Sequence, residues 1–254
     1  MSGWGKFHKF IASLLYPVCC PYCGRVIAAD KELCAACDGK LPRIEDPICR
    51  VCGQGLAFCF CRKKYRFYRC VTPFYYEGPA KTGMRRFKFQ GKSEAAQPFA
   101  GEMANVIEEK IGFSIIDVIV CVPMTKAAVS RRGYNQSELL AVELSKISGV
   151  KYEPGGLVKE VEHMSQHMVG YHERWSNVIG AFGVLNAEAV KNKNVLLVDD
   201  VMTTGATLNE CASALKFAGA KEVFCVVFAS TRSRKLVKGL KVSYNTDRNV
   251  HLQP

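Results

Sequence analysis

The chain has 254 residues, 48% of them hydrophobic and 23% charged, which is typical of a globular protein with room for one α/β domain and a small module. No run of about eighteen apolar residues occurs, so no membrane-spanning helix is predicted. The formal net charge of +12 favours a polyanionic partner such as nucleic acid or a phosphorylated metabolite, and a solvated basic surface is the alternative.

The first predicted element is an amphipathic helix within residues 1–18, because apolar side chains recur there at helical spacing. We expect it to pack on the protein, with binding to a membrane surface as the alternative. Lys6, His8 and Lys9 interrupt the apolar stretch and no small-residue cleavage site follows, so we expect no signal peptide and a cytoplasmic protein. The apolar positions are Trp4, Phe7, Phe10, Ile11, Leu14 and Leu15.

A cysteine-rich module follows over residues 19–70 and contains most of the 13 cysteines. The short, paired spacing argues for metal and against disulfides in a reducing compartment. Four thiolates bind zinc tetrahedrally and supply folding energy that so small a segment lacks. We predict one zinc site formed by the first two pairs of cysteines. The next two pairs are less regular in spacing but allow a second zinc site, and the alternative for them is a set of buried thiols. The first set is Cys20, Cys23, Cys34 and Cys37, with Cys19 as a substitute, and the second is Cys49, Cys52, Cys59 and Cys61, with Cys70 as a substitute.

Residues 71–235 alternate strand-like and helix-like segments, which predicts an α/β fold with a doubly wound parallel sheet. Near-continuous apolar runs predict buried strands, and apolar residues at helical spacing predict helices. Cys121, Cys211 and Cys225 lie in such segments and are predicted to be core residues. The predicted strands are Val71–Tyr76, Ile115–Val122, Val195–Val198 and Val223–Ala229, and the predicted helices are Ala95–Ile111, Gln136–Ile147 and Thr207–Ala218, the last ended by Gly219.

The stretch VLLVDDVMTTGATL, from Val195 to Leu208, combines a buried strand, two carboxylates and a hydroxyl-rich turn that opens a helix. Asp199 and Asp200 are expected at the carboxyl edge of the sheet, where doubly wound proteins bind ligands. The turn over residues 203–207 offers backbone N–H groups and hydroxyls to a phosphate, and Gly205 lets the backbone approach the anion. Because carboxylates repel phosphate but accept hydrogen bonds from hydroxyls, the motif predicts a sugar phosphate as ligand.

The same stretch resembles the phosphoribosyl-pyrophosphate signature of type I phosphoribosyltransferases. Cysteine pairs followed by such a domain are similar to the ComF family of competence proteins, and three further segments resemble motifs of that family. The resemblance implies a type I phosphoribosyltransferase fold behind a small zinc-binding module and covers nearly the whole chain except the basic C-terminal tail, residues 236–254. The further segments are PAKTGMRRFKFQGK over residues 79–92, VPMTKAAVSRRGYNQSELLA from Val122, and SQHMVGYHERWSNVIGAF from Ser165 to Phe182.

The resemblance also implies roles for individual residues. The two aspartates would hold the ribose hydroxyls, and the turn would hold the 5-phosphate. The segment Val122–Lys126 stands in the place of the pyrophosphate loop, and a mobile segment would follow it over the site. Magnesium would bridge the pyrophosphate and the ribose hydroxyls, because this cation prefers oxygen ligands. The implied phosphate-binding residues are Thr203, Thr204, Gly205, Ala206 and Thr207, and those of the pyrophosphate loop and mobile segment are Lys126, Arg131, Arg132, Asn135 and Gln136.

The reaction that this resemblance implies is displacement of pyrophosphate at the anomeric carbon of the ribose. Purine-using relatives carry an acidic residue where Thr203 stands, and it assists deprotonation of the base, which a threonine does not do at neutral pH. The basic tail shows no recognisable hood for a base. The sequence therefore identifies neither an acceptor nor a catalytic residue, and it leaves enzymatic turnover open.

Members of the ComF family are associated with single-stranded DNA during natural transformation, so DNA and DNA-uptake proteins are expected partners. Basic residues interleaved with aromatic ones can track phosphates and stack bases, and the alternative is that the aromatic residues belong to the core. We therefore expect a protein of DNA uptake or utilisation that binds phosphoribosyl pyrophosphate; the alternatives are an active transferase of nucleotide salvage and a non-catalytic scaffold. The candidate DNA-binding residues are Lys81, Arg85, Arg86, Phe87, Lys88 and Lys92, with Phe89 beside them, and a second tract holds Lys63, Lys64, Arg66 and Arg69 among Tyr65, Phe67 and Tyr68.

Overall fold

The computed structural model describes residues 17–59, 61, 65–159 and 182–232. Four predictions fall largely or wholly outside these ranges: the N-terminal helix, the tail over residues 236–254, the segment that starts at Ser165, and the basic pair Lys63 and Lys64. No helix within the described ranges has the length and apolar character needed to cross a membrane.

A five-stranded parallel sheet forms the centre of the protein, as the sequence predicts. The strands are numbered in chain order, with the bounds given at the end of this paragraph. Strands β1 and β2 both pair with β7, at different points along it, and the order continues through β6 to β3. A separate antiparallel pair is formed by β4 and β5. The strands are β1 Arg69–Val71, β2 Phe74–Tyr75, β3 Val118–Cys121, β4 Val158–Lys159, β5 Phe182–Gly183, β6 Asn194–Met202 and β7 Glu222–Ser230.

Six α-helices accompany the strands in the described ranges. The predicted helices around residues 95–111, 136–147 and 207–218 are confirmed. Two further helices, α2 (Gly78–Phe89) and α4 (Lys126–Arg132), were not predicted, because their basic residues hide the apolar spacing. The sequence also ended the strand before Asp199, but β6 continues through both aspartates. The helices are α1 Ala35–Asp38, α2 Gly78–Phe89, α3 Ala96–Lys110, α4 Lys126–Arg132, α5 Gln136–Ser148 and α6 Ala206–Phe217.

In the part of the chain that the structure describes, the helices cover the two faces of the sheet unequally. One face packs against α2, α3 and α5 through residues such as Phe87, Phe99 and Leu140, all with no exposed surface. The other face packs against α6 through Leu208 and Leu215. Alternating side chains of β6 and β7 point into both layers, as expected for a parallel sheet that is buried on both sides.

The cysteine-rich module fills the remaining surface at the edge formed by β1 and β2. We call residues 17–41 the first ribbon, and we call the described residues between 47 and 68 the second ribbon. Tyr22 of the first ribbon is 1% exposed and packs among Phe74, Phe99 and Phe228 on the face of α2. Cysteines of the second ribbon join the core on the face of α6. The two ribbons therefore cover opposite faces, and the division predicted at residue 70 falls within β1.

The cysteines outside the ribbons lie in the core, in keeping with their apolar surroundings. Cys211 and Cys225 have no exposed surface, and Cys121 is partly buried with its Sγ 3.3 Å from the hydroxyl of Tyr152. Cys70 is also fully buried and stands opposite Cys225 in the pairing of β1 with β7. Cys70 is therefore a core residue and does not substitute for a metal ligand.

Candidate functional site

Each ribbon brings four cysteine sulfurs together in the arrangement that zinc requires. Within each set, all the sulfur atoms lie within 4.8 Å of one another. A tetrahedral site with Zn–S bonds of about 2.3 Å places neighbouring sulfurs about 3.8 Å apart. The measured separations fit this value: 3.7 Å for Cys23 and Cys34 and 3.8 Å for Cys52 and Cys59. The first tetrad is Cys20, Cys23, Cys34 and Cys37, and the second is Cys49, Cys52, Cys59 and Cys61.

Both predicted cysteine sets thus form tetrads, and Cys19 lies outside them. Gly24 and Gly53 follow the second cysteine of a pair and have φ angles of 79° and 71°, which suit glycine in a tight knuckle. The guanidinium of Arg86 fills the space beside Gly24, where a Cβ would meet its Nη2 at 2.2 Å. Arg86 therefore packs against the knuckle of the first ribbon.

The end of β6 carries the acidic part of the second candidate site. Asp199 and Asp200 lie in the second half of the strand, where the side chains are partly buried, and the chain then turns over residues 203–207 into α6. We call these five residues the phosphate turn. Gly205 caps the helix with a φ angle of 74°, so its backbone adopts a conformation that a residue with a side chain rarely takes. The N-terminus of α6 therefore follows the two carboxylates closely in the chain, and the N–H of Ala206 donates to Thr204 Oγ1 over 3.3 Å.

Neighbouring groups hold the two carboxylates in place. Ser137 Oγ donates a hydrogen bond of 2.9 Å to Asp199 Oδ1, which also accepts from the backbone N–H of Asp200 at 2.8 Å. Lys88 Nζ lies 2.8 Å from Asp200 Oδ1, and both side chains are mostly buried, with 16% and 15% of their surface exposed. The sequence did not identify Ser137 and placed Lys88 on a DNA-binding surface; in the structure, both residues belong to the acidic site.

The pKa of Asp199 is raised from 3.8 to about 7. Burial is the largest cause, because it disfavours the charged carboxylate, and repulsion from the Asp200 carboxylate adds to it. The hydrogen bonds from Asp200 N–H and Ser137, and the charge of Lys88, act in the opposite direction. Burial and the neighbouring carboxylate therefore favour the protonated form of Asp199 over that of an exposed aspartate.

The loop after β3 meets the acidic residues at the same edge of the sheet. Strand β3 pairs with β6, and the N–H of Val122 donates to the carbonyl of Val198 over 2.9 Å. Thr125 caps α4 by accepting a hydrogen bond from the N–H of Ala128. Lys126 opens this helix, and both Lys126 and Arg131 are exposed. The predicted pyrophosphate loop thus lies beside the predicted ribose site.

Two residues of the predicted mobile segment have a different position. Asn135 is 7% exposed, caps α5 through its Oδ1, and donates from Nδ2 to the carbonyl of Val122 at 3.1 Å. Gln136 is fully buried and accepts a hydrogen bond of 3.1 Å from Arg132. Both side chains are therefore buried and bonded to the segment after β3, and neither covers the acidic residues as a mobile segment would.

The candidate DNA-binding residues lie on or just after α2, which buries some of them and exposes others. Phe87 is fully buried against Phe99 and Tyr134, so the prediction that it stacks on a base is wrong, and the alternative of a core residue holds. Phe89, by contrast, is 65% exposed, and the guanidinium of Arg132 lies 5.1 Å from its ring centre. Lys81, Arg85 and Lys92 are exposed.

Comparisons with known proteins agree with this geometry. The family described as "Phosphoribosyl transferase domain" matches residues 94–251, which is more than half of the chain. The chain belongs to this phosphoribosyltransferase family. A second family, described as "Double zinc ribbon domain", matches residues 11–71, and these residues contain both tetrads. The zinc prediction is thus supported for both ribbons.

The names of three curated relatives agree with the family resemblance found in the sequence. "DNA utilization protein YhgH" of Escherichia coli K12 is 29% identical over 212 residues, covering 82% of this chain and 88% of that protein. "Competence protein F" of Haemophilus influenzae is 28% identical over 217 residues, covering 80% and 93%. "Competence protein ComFC" of Bacillus subtilis is 27% identical over 206 residues, covering 75% and 80%. The resemblance to the ComF family is confirmed.

We predict that purified protein contains one zinc ion per tetrad, and therefore two per chain. Replacing one ligand of either tetrad, as in Cys34→Ser or Cys61→Ser, should lower the metal content to about one ion per chain, because three thiolates and a hydroxyl bind zinc less tightly than four thiolates. Metal analysis by mass spectrometry under native conditions measures the content. An unchanged count in Cys61→Ser, with Cys19→Ser as the matched control, would show that the second tetrad does not bind zinc.

We predict that Asp199→Asn stabilises the ligand-free protein more at pH 8 than at pH 5. The unfolded chain releases the Asp199 proton near pH 3.8 and the folded protein near pH 7, so the folded state binds the extra proton between these values. Raising the pH through this window therefore lowers the stability of the wild type, and the full loss is reached above about pH 7. The variant should gain about 2 kcal/mol at pH 8, roughly half of the full shift because the carboxylate is partly solvated. Urea unfolding at both pH values measures the difference, and equal gains at the two values would contradict the assignment.

Proposed function

We propose that the chain binds phosphoribosyl pyrophosphate together with magnesium at the end of β6. One observation carries this proposal: two adjacent carboxylates precede a helix N-terminus whose capping glycine has a positive φ angle. The phosphate turn would receive the 5-phosphate through its backbone N–H groups. Asp199 and Asp200 would accept hydrogen bonds from the two ribose hydroxyls, which no phosphate group provides.

The pyrophosphate group would lie toward the loop after β3, because this loop adjoins the acidic residues at the carboxyl edge of the sheet. Lys126 and Arg131 are the exposed cations of that loop and of α4. Lys88 already contacts Asp200 and is therefore within reach of the same ligand. Oxygen atoms of the pyrophosphate and the ribose hydroxyls would complete a magnesium site, and the ion would withdraw charge from the leaving pyrophosphate.

The chemistry that such a site supports is a displacement at the anomeric carbon. A nucleophile forms a bond to this carbon while the carbon–oxygen bond to pyrophosphate breaks, and pyrophosphate leaves with the electron pair. Cations at the pyrophosphate end favour this departure electrostatically. Thr203 does not supply a carboxylate base, so an acceptor would need to be a nucleophile without help from that position.

We predict that Asp200→Asn and Asp199→Asn each weaken the binding of phosphoribosyl pyrophosphate with magnesium by about tenfold or more, since each removes a charged acceptor from a ribose hydroxyl. Titration calorimetry measures the affinity. Glu188→Gln is the matched control, because Glu188 is 80% exposed and pairs only with Lys191 among the described ion pairs. Wild-type affinity in both aspartate variants would show that the ribose binds elsewhere, and no heat with the folded wild type would remove the ligand proposal.

We further propose that the protein acts in the cytoplasm on single-stranded DNA during uptake or utilisation. The names of the three relatives support this context, and the net charge of +12 favours a polyanion. The exposed Phe89 beside Arg132 is the observation on the structure that favours DNA over a protein partner, because a base can stack on an aromatic ring flanked by a guanidinium. Arg85 and Lys92 would contact phosphates.

We predict that Phe89→Ala weakens binding of single-stranded DNA by about tenfold, because stacking on one base is lost. The same variant should leave the dependence of affinity on salt unchanged, because it removes no charge. The double variant of Arg85 and Lys92 to Ala should instead flatten that dependence, because fewer phosphate charges are neutralised. Fluorescence anisotropy with a labelled oligonucleotide at several salt concentrations measures both. The control is Phe217→Ala, an aromatic residue that is 54% exposed at the far end of α6. Equal losses from Phe89→Ala and the control would argue against the stacking role.

A further inference from the structure

The second ribbon contacts the phosphate turn, although 139 residues of sequence separate Tyr65 from Thr204. The hydroxyl of Tyr65 donates a hydrogen bond of 3.3 Å to the carbonyl of Thr204. The ring of Tyr65 lies against Gly205, where a Cβ would be 3.3 Å from its Cε1. The tyrosine thus supports the turn at the capping residue of α6 through a carbonyl and leaves the backbone N–H groups of the turn uncontacted.

Tyr65 is itself held by the second ribbon. Its ring stacks on Phe67 with a centre-to-centre distance of 4.6 Å and an angle of 15° between the planes. Phe67 is 3% exposed and belongs to the same core cluster as Cys49 and Cys52 of the second tetrad. Next to Tyr65, the backbone N–H of Arg66 donates to the side chain of Asn209, in the first turn of α6. The position of Tyr65 therefore depends on how the second ribbon is folded.

A further contact supports the other side of the turn. Gln54 of the second ribbon is 6% exposed and donates from Nε2 to the carbonyl of Thr231 at 3.1 Å. Thr231 in turn donates from its N–H to the carbonyl of Met202 and from its hydroxyl to the carbonyl of Thr203. The second ribbon therefore supports the turn at both ends.

The first ribbon has no corresponding contacts among the described residues. Its Tyr22 packs on the opposite face of the sheet, and its knuckle packs against Arg86 of α2. The two tetrads have the same chemistry but different neighbours, so each can serve as a control for the other.

We propose that Tyr65 is a positioning residue for the phosphate turn, and that the second ribbon, folded around its own tetrad, holds the turn in the conformation that receives an anion. This inference rests on the proposed function insofar as the turn binds a phosphate. Because the turn is held before the ligand arrives, less conformational freedom is lost on binding, and the affinity is higher. The first tetrad contributes to the stability of the sheet and not to the turn.

The first test measures the turn without any ligand. Hydrogen exchange followed by mass spectrometry should show faster exchange over the peptide that contains residues 203–208 in Tyr65→Ala, with unchanged exchange in β3. Tyr65→Phe keeps the ring and loses only the hydroxyl, so it should restore most of the protection. Tyr68→Ala is the matched control from the same segment, because Tyr68 is 64% exposed and packs on Phe224. Equal exchange at the turn in Tyr65→Ala and Tyr68→Ala would overturn the proposal.

The second test measures binding of phosphoribosyl pyrophosphate with magnesium by calorimetry. We expect Tyr65→Ala to bind about tenfold more weakly, Tyr65→Phe about twofold more weakly, and Tyr68→Ala like the wild type. Wild-type affinity in Tyr65→Ala would overturn the positioning role and leave the proposed function intact. If the folded wild type itself shows no binding, the proposed function fails, and the exchange measurement still decides whether Tyr65 positions the turn.

The third test compares the two tetrads in the full chain. Cys61→Ser should accelerate exchange over residues 203–208, whereas Cys34→Ser should accelerate exchange in α2 and leave the turn protected. Metal analysis of the same samples confirms that each variant has lost only one ion. Faster exchange at the turn in both variants to the same degree would show that zinc acts through general stability, which contradicts a specific role for the second ribbon.

Discussion

One constraint shapes the rest of the structure: both faces of the parallel sheet must be buried, but the helices of the described residues are distributed unevenly between them. Within the described residues, three helices pack on one face and α6 packs on the other. The second ribbon covers part of the α6 face, together with Leu157, Phe182 and Val184, and Tyr22 of the first ribbon enters the opposite core. A ribbon of this size buries too little apolar surface to fold alone, so its tetrad supplies the missing free energy when zinc binds. Metal ligation and sheet packing are therefore parts of one folding unit.

The acidic site is stabilised only in part by the protein itself. Ser137, the backbone of Asp200 and Lys88 all favour the charged form of Asp199, yet burial and the neighbouring carboxylate keep its pKa near 7. Hydroxyl groups of a ligand would donate to the carboxylates and offset this cost, as would a divalent cation. A ligand that relieved the cost of burial and the repulsion between the two carboxylates would bind more tightly for that reason.

Sequence patterns predicted the parts of the molecule that local residue order determines. Apolar runs identified the buried strands, and the cysteine spacing identified both tetrads, because ligands that are close in sequence are brought together by short turns. The aspartates and the phosphate turn were likewise contiguous in the chain. Contacts between distant segments had no such signal: nothing in the local sequence pairs Lys88 with Asp200 or Ser137 with Asp199. Phe87 and Phe89 look alike in sequence, and only the orientation of α2 separates a core residue from an exposed one.

The family match begins at residue 94, but the unit that forms the site begins earlier. Strands β1 and β2 complete the sheet beside β7, and they precede the matched region. Without them, β7 would become an edge strand with unpaired backbone groups. Tyr65 and Gln54 also lie before residue 94, and they contact the phosphate turn and Thr231 across 139 and 177 residues of sequence. The hydrogen bonds of Tyr65 and Gln54 thus join the N-terminal part of the chain to both Thr204 and Thr231. In this chain the second ribbon is therefore packed directly against the turn that opens α6 and against the residue that follows β7.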